Sequence, residues 1–151
     1  MRTPATDRLD RLGIGYRLLA YDEVEKTALE VASKLGIALD QVYKTLLCRS
    51  GTSYALAVVP GTAELSLRGL ARAWGRSEAQ MADPSDIQRI TGYVRGSVSP
   101  LGVKRELPVF LDVSAQGRIV AVSAGRRGQE LMMAGDDLVK AAGGSWAALC
   151  R

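Results

Sequence analysis

Apolar residues recur along this chain with two different periods, and the two alternate from one end to the other. Helical spacing marks TPATDRLDRLG, with Thr3 as N-cap, Pro4 at the first helical position and Gly13 as the stop. TALEVASKLGI repeats that form, with Thr27 and Glu30 spaced as a capping box and Gly36 closing it. Three more helices are predicted: SLRGLARAWG capped by Ser66, DPSDIQRITG capped by Asp83 and opened by Pro84, and GDDLVKAAGG capped by Asp136. Strand-like stretches lie between them. IGYRLLAYDE leads into a polar loop, VYKTLLCRSGTSYALAVVPG reads as two strands joined at Ser50–Ser53, and LPVFLDVSA, RIVAVSA and GRRGQELMM supply the rest. GYVRGSVSPLG is rich in Gly and Ser and is not expected to be regular. No repeat or linker interrupts the series. Strands and helices intermixed, with several hairpins, predict an α+β fold in one domain over residues 1–151. Its sheet should be mixed or a small barrel with helices outside, rather than doubly wound and parallel.

Alternation in the first hairpin raises a chemical question. Val42, Lys44, Leu46 and Cys48 fall on one face of the strand, Tyr43, Thr45, Leu47 and Arg49 on the other. Lys44 is the only charge on an otherwise apolar face. One reading is an amine that snorkels into water at the strand end. The other is an amine set in a polar pocket with apolar walls, close to an anionic or carbonyl group, since a buried ammonium requires a partner.

Composition narrows the chemistry mainly by what it omits. Among 151 residues there is no histidine. Ser-His-Asp and Cys-His catalysis, imidazole bases and His-based zinc sites are therefore excluded. Cys48 and Cys150 have no metal-type spacing and read as free thiols, and no metal or cofactor is suggested. A net charge of +4 suits a polyanionic partner. No stretch reads as a signal peptide or membrane span, which makes the cytoplasm the default compartment.

Two Gly-rich stretches are further candidates. In RGSVSPLG, Gly96 and Pro100 enclose Ser97 and Ser99; such a loop is either a surface turn or a presenter of backbone N–H groups. In SAGRRGQE, Ser123, Gly125 and Gly128 surround Arg126 and Arg127, as an exposed hairpin turn or an anion nest. Neither stretch has the spacing of a phosphate-binding Walker loop. Cys48 shares the face of Lys44, but a buried structural thiol is its simpler role.

Taken in order, DQVYKTLL, MADP, TGYVRGSVSPLG, LPVFLD and VSAGRRGQEL resemble the YbaK/EbsC proteins, free-standing relatives of the editing domain inserted in bacterial prolyl-tRNA synthetases. The resemblance covers nearly the whole chain. It implies a mostly antiparallel, barrel-like mixed sheet surrounded by helices, and deacylation of a mischarged aminoacyl-tRNA, with cysteinyl-tRNA(Pro) the best-known case. It places Lys44 at the family's essential lysine with Thr45 beside it. Gly96 to Pro100 falls on the loop whose amides hold the aminoacyl carbonyl. Tyr21, Ser123, Gly125, Arg126 and Gly128 fall on substrate-facing positions. Two departures touch the amino-acid pocket. DEVEKTALEVA is shorter and lacks a Phe-Gly pair, so that Leu29 is expected to fill part of that space, and Glu130 stands in place of an aspartate.

The implied partners are the 3′ acceptor end of an aminoacyl-tRNA and a prolyl-tRNA synthetase that lends tRNA selectivity. Either the substrate's own thiol or a positioned water would attack the ester. Three alternatives stay open: a tRNA- or synthetase-binding module without chemistry, a deacylase for another amino acid such as Ala, and a hydrolase of small esters or thioesters.

Overall fold

A computed structural model describes residues 2–21 and 27–151. Part of the stretch following Tyr21, where the resemblance predicts a shortened segment, lies outside the described residues.

Helix α1 (Pro4–Leu12) begins where the sequence predicts. The Thr6 amide donates to Thr3 Oγ1 (3.2 Å) and the Thr3 amide donates to Thr6 Oγ1 (2.8 Å). Gly13, at φ 69°, closes it in the left-handed region that a Cβ disfavours. Thr3 Oγ1 also donates to Ala124 O (2.6 Å), which ties this helix to a segment more than a hundred residues away. Strand β1 (Arg17–Ala20) follows, then α2 (Ala28–Leu35), where Thr27 Oγ1 accepts from the Glu30 amide.

The hairpin of β2 (Tyr43–Ser50) and β3 (Ser53–Pro60) pairs in register from Tyr43 with Pro60 to Ser50 with Ser53. Next come α3 (Leu67–Trp74), β4 (Gln80–Met81), a single 3₁₀ turn at Pro84–Asp86 and α4 (Ile87–Thr91). No helix or strand occurs between Gly92 and Pro108, in keeping with the Gly- and Ser-rich sequence. The chain ends with β5 (Val109–Asp112), β6 (Ile119–Ser123), β7 (Gln129–Ala134), α5 (Gly135–Ala141) and β8 (Ser145–Ala147).

These strands form an antiparallel sheet β1-β7-β6 and a mixed sheet β4-β2-β3-β5-β8, in which β3-β5 and β5-β8 run parallel. A bridge between Val42 and Ala121 joins the two sheets. The α+β class predicted from the element order is the one observed, with mainly antiparallel pairing. The expected barrel does not close: the strands divide into two sheets that meet at the Val42–Ala121 bridge.

The main core fills the space between the sheets with Leu47, Leu56, Val58, Leu111, Val120, Val122 and Leu131, sealed by Leu9, Ile90 and Leu138. A second cluster packs Ala55, Ala57, Val59 and Phe110 under Leu70 of α3. Strand β3 is thus covered on both faces, which accounts for its unbroken apolar run.

Three details depart from the sequence reading. Strands β4 and β8 are too short to show alternation. Asp136 does not cap α5: the helix starts at Gly135, and the Asp136 carboxylate accepts from the Gly117 amide instead (3.4 Å). Gly135 is held against the Ala115 carbonyl so closely that a Cβ there would collide with it.

Candidate active site

Strand β2 has an unevenly covered outer edge. β4 pairs only with Cys48 and Arg49, so the stretch from Tyr43 to Leu47 has β3 on one side and no strand on the other. A cavity of about 890 Å³ opens along that bare edge. Residues from both faces of β2 line it, Lys44 and Thr45 among them. Its volume suits a small-molecule moiety rather than a single side chain.

Lys44 is half-buried on the cavity wall and makes no hydrogen bond or ion pair with a described residue. Its neighbour Thr45 presents a buried Oγ1 with no hydrogen-bond partner among the described residues. A buried hydroxyl left unpaired is unfavourable by roughly 1–3 kcal/mol, and binding sites are where such groups are retained.

Facing these is the loop after Gly92. Gly96 is exposed, lines the cavity and has φ 90°; a Cβ there would meet nothing within 4 Å, so its backbone angle rather than space calls for glycine. The amides of Gly96 and Val98 donate to no described residue, and both residues line the cavity. The Ser97 amide is different, because it donates to Val94 O (3.0 Å). The serine hydroxyls turn inward and brace the loop. Ser97 Oγ donates to Val94 O (3.0 Å) and Ser99 Oγ accepts from the Leu101 amide (3.3 Å). Ser97, Ser99 and Pro100 are buried and do not line the cavity. Ser123, on the opposite wall, donates to Ser97 O (3.0 Å) and accepts from the Gly125 amide (3.1 Å), locking the two Gly-rich stretches together.

The remaining walls come from Tyr21, Gly128 and Glu130. The Tyr21 amide donates to Gly128 O (2.8 Å). Glu130 is only 7% exposed, and burial pushes its carboxyl up to about 8. Near neutral pH this group is mainly a neutral carboxylic acid.

Three further expected residues do not line the cavity. Leu29 is 64% exposed and does not fill the pocket. Ala28 and Val31, three apart on α2, share the inward face, and Leu29 is rotated off it. Gly125 serves packing: a Cβ there would come within 2.5 Å of the Tyr93 ring. Arg127, not Arg126, lines the cavity, and its Nη2 donates to Arg95 O (3.4 Å). Two exposed arginines thus line one cavity: Arg127, which the sequence reading placed in a candidate anion nest, and Arg95, which it did not single out. Position next to Gly96 was the available clue for Arg95. Met81, Ala82 and Pro84 also line the cavity, within the MADP segment on which the resemblance partly rested.

The thiols are not placed for catalysis. Cys48 is buried against Met81 Sδ (3.9 Å), and burial pushes its thiol up to about 12. Cys150 is exposed but lies outside the cavity wall. Among the described residues, no group of three or more His, Cys, Asp and Glu is arranged to hold a metal ion, and no helix is long and apolar enough to cross a membrane.

Residues 22–141 match the family model of the aminoacyl-tRNA editing domain. The chain belongs to the aminoacyl-tRNA editing domain family. Within it, the chain is 36% identical over 130 residues to EbsC of Enterococcus faecalis, which is named as a Cys-tRNA(Pro)/Cys-tRNA(Cys) deacylase; the match covers 85% of this chain and 79% of EbsC. It is also 37% identical over 93 residues to a proline–tRNA ligase of Trichlorobacter lovleyi, covering 61% of this chain but 16% of the ligase. A crystal structure named as a trans-editing enzyme for prolyl tRNA synthetase superposes with a TM-score of 0.88 at 25% identity, covering 100% of this chain and 99% of that one. Editing-domain membership and the α+β architecture therefore agree with one another and with the sequence reading.

Proposed function

We propose that this chain is a trans-editing deacylase that cleaves the ester of a mischarged aminoacyl-tRNA, with Cys-tRNA(Pro) as its leading substrate. One observation carries the reading: a single cavity is lined by a lysine without a hydrogen-bond or ion-pair partner among the described residues, by two residues whose amides donate to no described residue, and by two arginines. Each matches a need of the reaction.

The terminal nucleotides of tRNA bring phosphates, which the Arg95 and Arg127 guanidiniums suit by charge and planar shape. The ester carbonyl turns toward the Gly96 and Val98 amides, which stabilise the oxyanion that forms on attack. One good donor of this kind is worth about 2.7–4 kcal/mol. Lys44 adds positive charge beside the developing negative charge or fixes the terminal ribose. Confinement of an already reactive ester supplies the rest.

A chain without histidine suits attack by the substrate's own thiol or by water. Attack by the cysteinyl Sγ on its own ester carbon forms a C–S bond, breaks the C–O bond and releases a thiolactone and tRNA with a free ribose hydroxyl. Attack by water breaks the same C–O bond and releases the free amino acid. Glu130 and Thr45 face the aminoacyl portion, and prolyl-tRNA synthetase is the partner that would select the tRNA.

Single-turnover deacylation of Cys-, Ala- and Ser-tRNA(Pro) tests the reading. Rapid loss of Cys with slow loss of Ala and Ser supports thiol attack, and comparable rates support water. Tight tRNA binding without loss of any of the three amino acids would replace this proposal with a non-catalytic binding module.

A further inference from the structure

Outside the cavity, α3 carries a row of positive charge that the reaction does not use. Arg68 and Arg72 are four residues apart, and Arg76, just past the Gly75 cap, continues the sequence interval. All three are exposed, and none forms an ion pair with a described residue. They line a shallow groove of about 290 Å³, separate from the editing cavity, whose opposite side includes Glu78. The helix itself has no acidic residue to offset them, and its other face is committed to the core through Leu70 and Ala71. The Arg76 guanidinium lies 4.9 Å from the Trp74 ring centroid, a cation–π contact that restricts where it can point.

Like charges four apart on a helix repel by a few tenths of a kcal/mol. A row of guanidiniums without ion-pair partners among the described residues is thus mildly destabilising in the free protein and favourable once a polyanion covers it. The helical step from Arg68 to Arg72 advances roughly 6 Å, close to the separation of neighbouring phosphates along a nucleic-acid strand. We propose that the Arg68–Arg72–Arg76 strip binds the sugar–phosphate backbone of RNA away from the acylated end, so that tRNA is held at two places. The proposal rests on the tRNA reading of the cavity, but it concerns affinity rather than chemistry.

The triple variant R68Q/R72Q/R76Q removes the charge at three exposed positions. Its binding to uncharged tRNA is measured against salt concentration. Its deacylation is measured on full-length mischarged tRNA and on a short aminoacylated acceptor-end oligonucleotide. Expected results are a tRNA affinity at least tenfold weaker, a salt slope smaller by about two to three units, a raised KM for full-length tRNA, and unchanged turnover of the short substrate.

Unchanged tRNA affinity and salt slope would overturn the proposal. Equal losses on both substrates would overturn it as well, since they would mark a general defect. Retained tRNA binding with loss of binding to prolyl-tRNA synthetase would assign the strip to a protein partner and overturn the RNA assignment. If the wild-type protein deacylates neither substrate but its tRNA binding still depends on the strip, the proposal stands and the catalytic reading falls.

Discussion

Glu130 occupies a place where ionisation is difficult. It is buried in β7 opposite Leu19 and Ser123, and its carboxyl is pushed from 4.5 up to about 8 by loss of solvent. Below pH 4.5 folded and unfolded chains both hold this proton. Between 4.5 and 8 only the folded chain holds it, so ionisation of the unfolded state erodes stability by up to about 1.4 kcal/mol per pH unit. The contribution is fully present at low pH and lost as pH rises through 8. Denaturant titrations at pH 6, 7.5 and 9 should therefore show falling stability, and Glu130→Gln should flatten that decline. Equal slopes in the two proteins would count against it. Lys44 makes a different prediction: Lys44→Ala should reduce deacylation at least a hundredfold while melting temperature stays near that of the wild type, because the amine makes no hydrogen bond or ion pair with a described residue. A variant with full activity would remove Lys44 from the mechanism. This lysine was legible in the sequence as a charge on an apolar face. The Arg126–Arg127 choice was not, because side-chain direction in a turn between Gly125 (φ 93°) and Gly128 (φ 79°) follows from backbone angles that composition does not reveal.

At the level of elements, the site depends on how two irregular segments are fastened. Ser123, at the end of β6, joins the loop carrying Gly96 to the turn carrying Gly125 through one hydroxyl. Ser123→Ala should cost about 1 kcal/mol of stability. It should lower kcat more than it raises KM, since it frees the amides without removing a phosphate contact. Steady-state kinetics beside thermal melts would separate these effects; an unchanged kcat would argue that the loop holds its shape without the bond. Helix caps and the hairpin turn were readable because they use local rules. Which backbone amides of the Gly96–Pro100 loop stay available was not readable, because that follows from the path of the loop: the Ser97 amide donates to Val94 O, while those of Gly96 and Val98 donate to no described residue. Strand β4 carries no local signal, yet where it stops determines where β2 lies open to the cavity.

Across the whole molecule, element order and apolar pattern were enough for the α+β class. The division into two sheets was not predictable, because nothing local tells β5 to pair with β3 and β8 while β6 pairs with β7. Charge is likewise distributed in two places, at the cavity rim and along α3. Deacylation of full-length tRNA by the wild type should therefore weaken steeply with added salt, whereas a small ester substrate should be nearly indifferent. Salt-insensitive turnover of tRNA would favour the small-ester reading.

The hydroxyl of Thr3 on the carbonyl of Ala124 has a practical bearing on how the protein is trimmed. The family match starts at residue 22, but Ala5 and Leu9 lie wholly inside the main core, and Gly102 rests against the Pro4 backbone. A shortened gene encoding only the matched segment would thus discard the buttress behind the editing loop. Its product should bind hydrophobic dye and melt without a sharp transition, although every residue assigned to the chemistry would still be present.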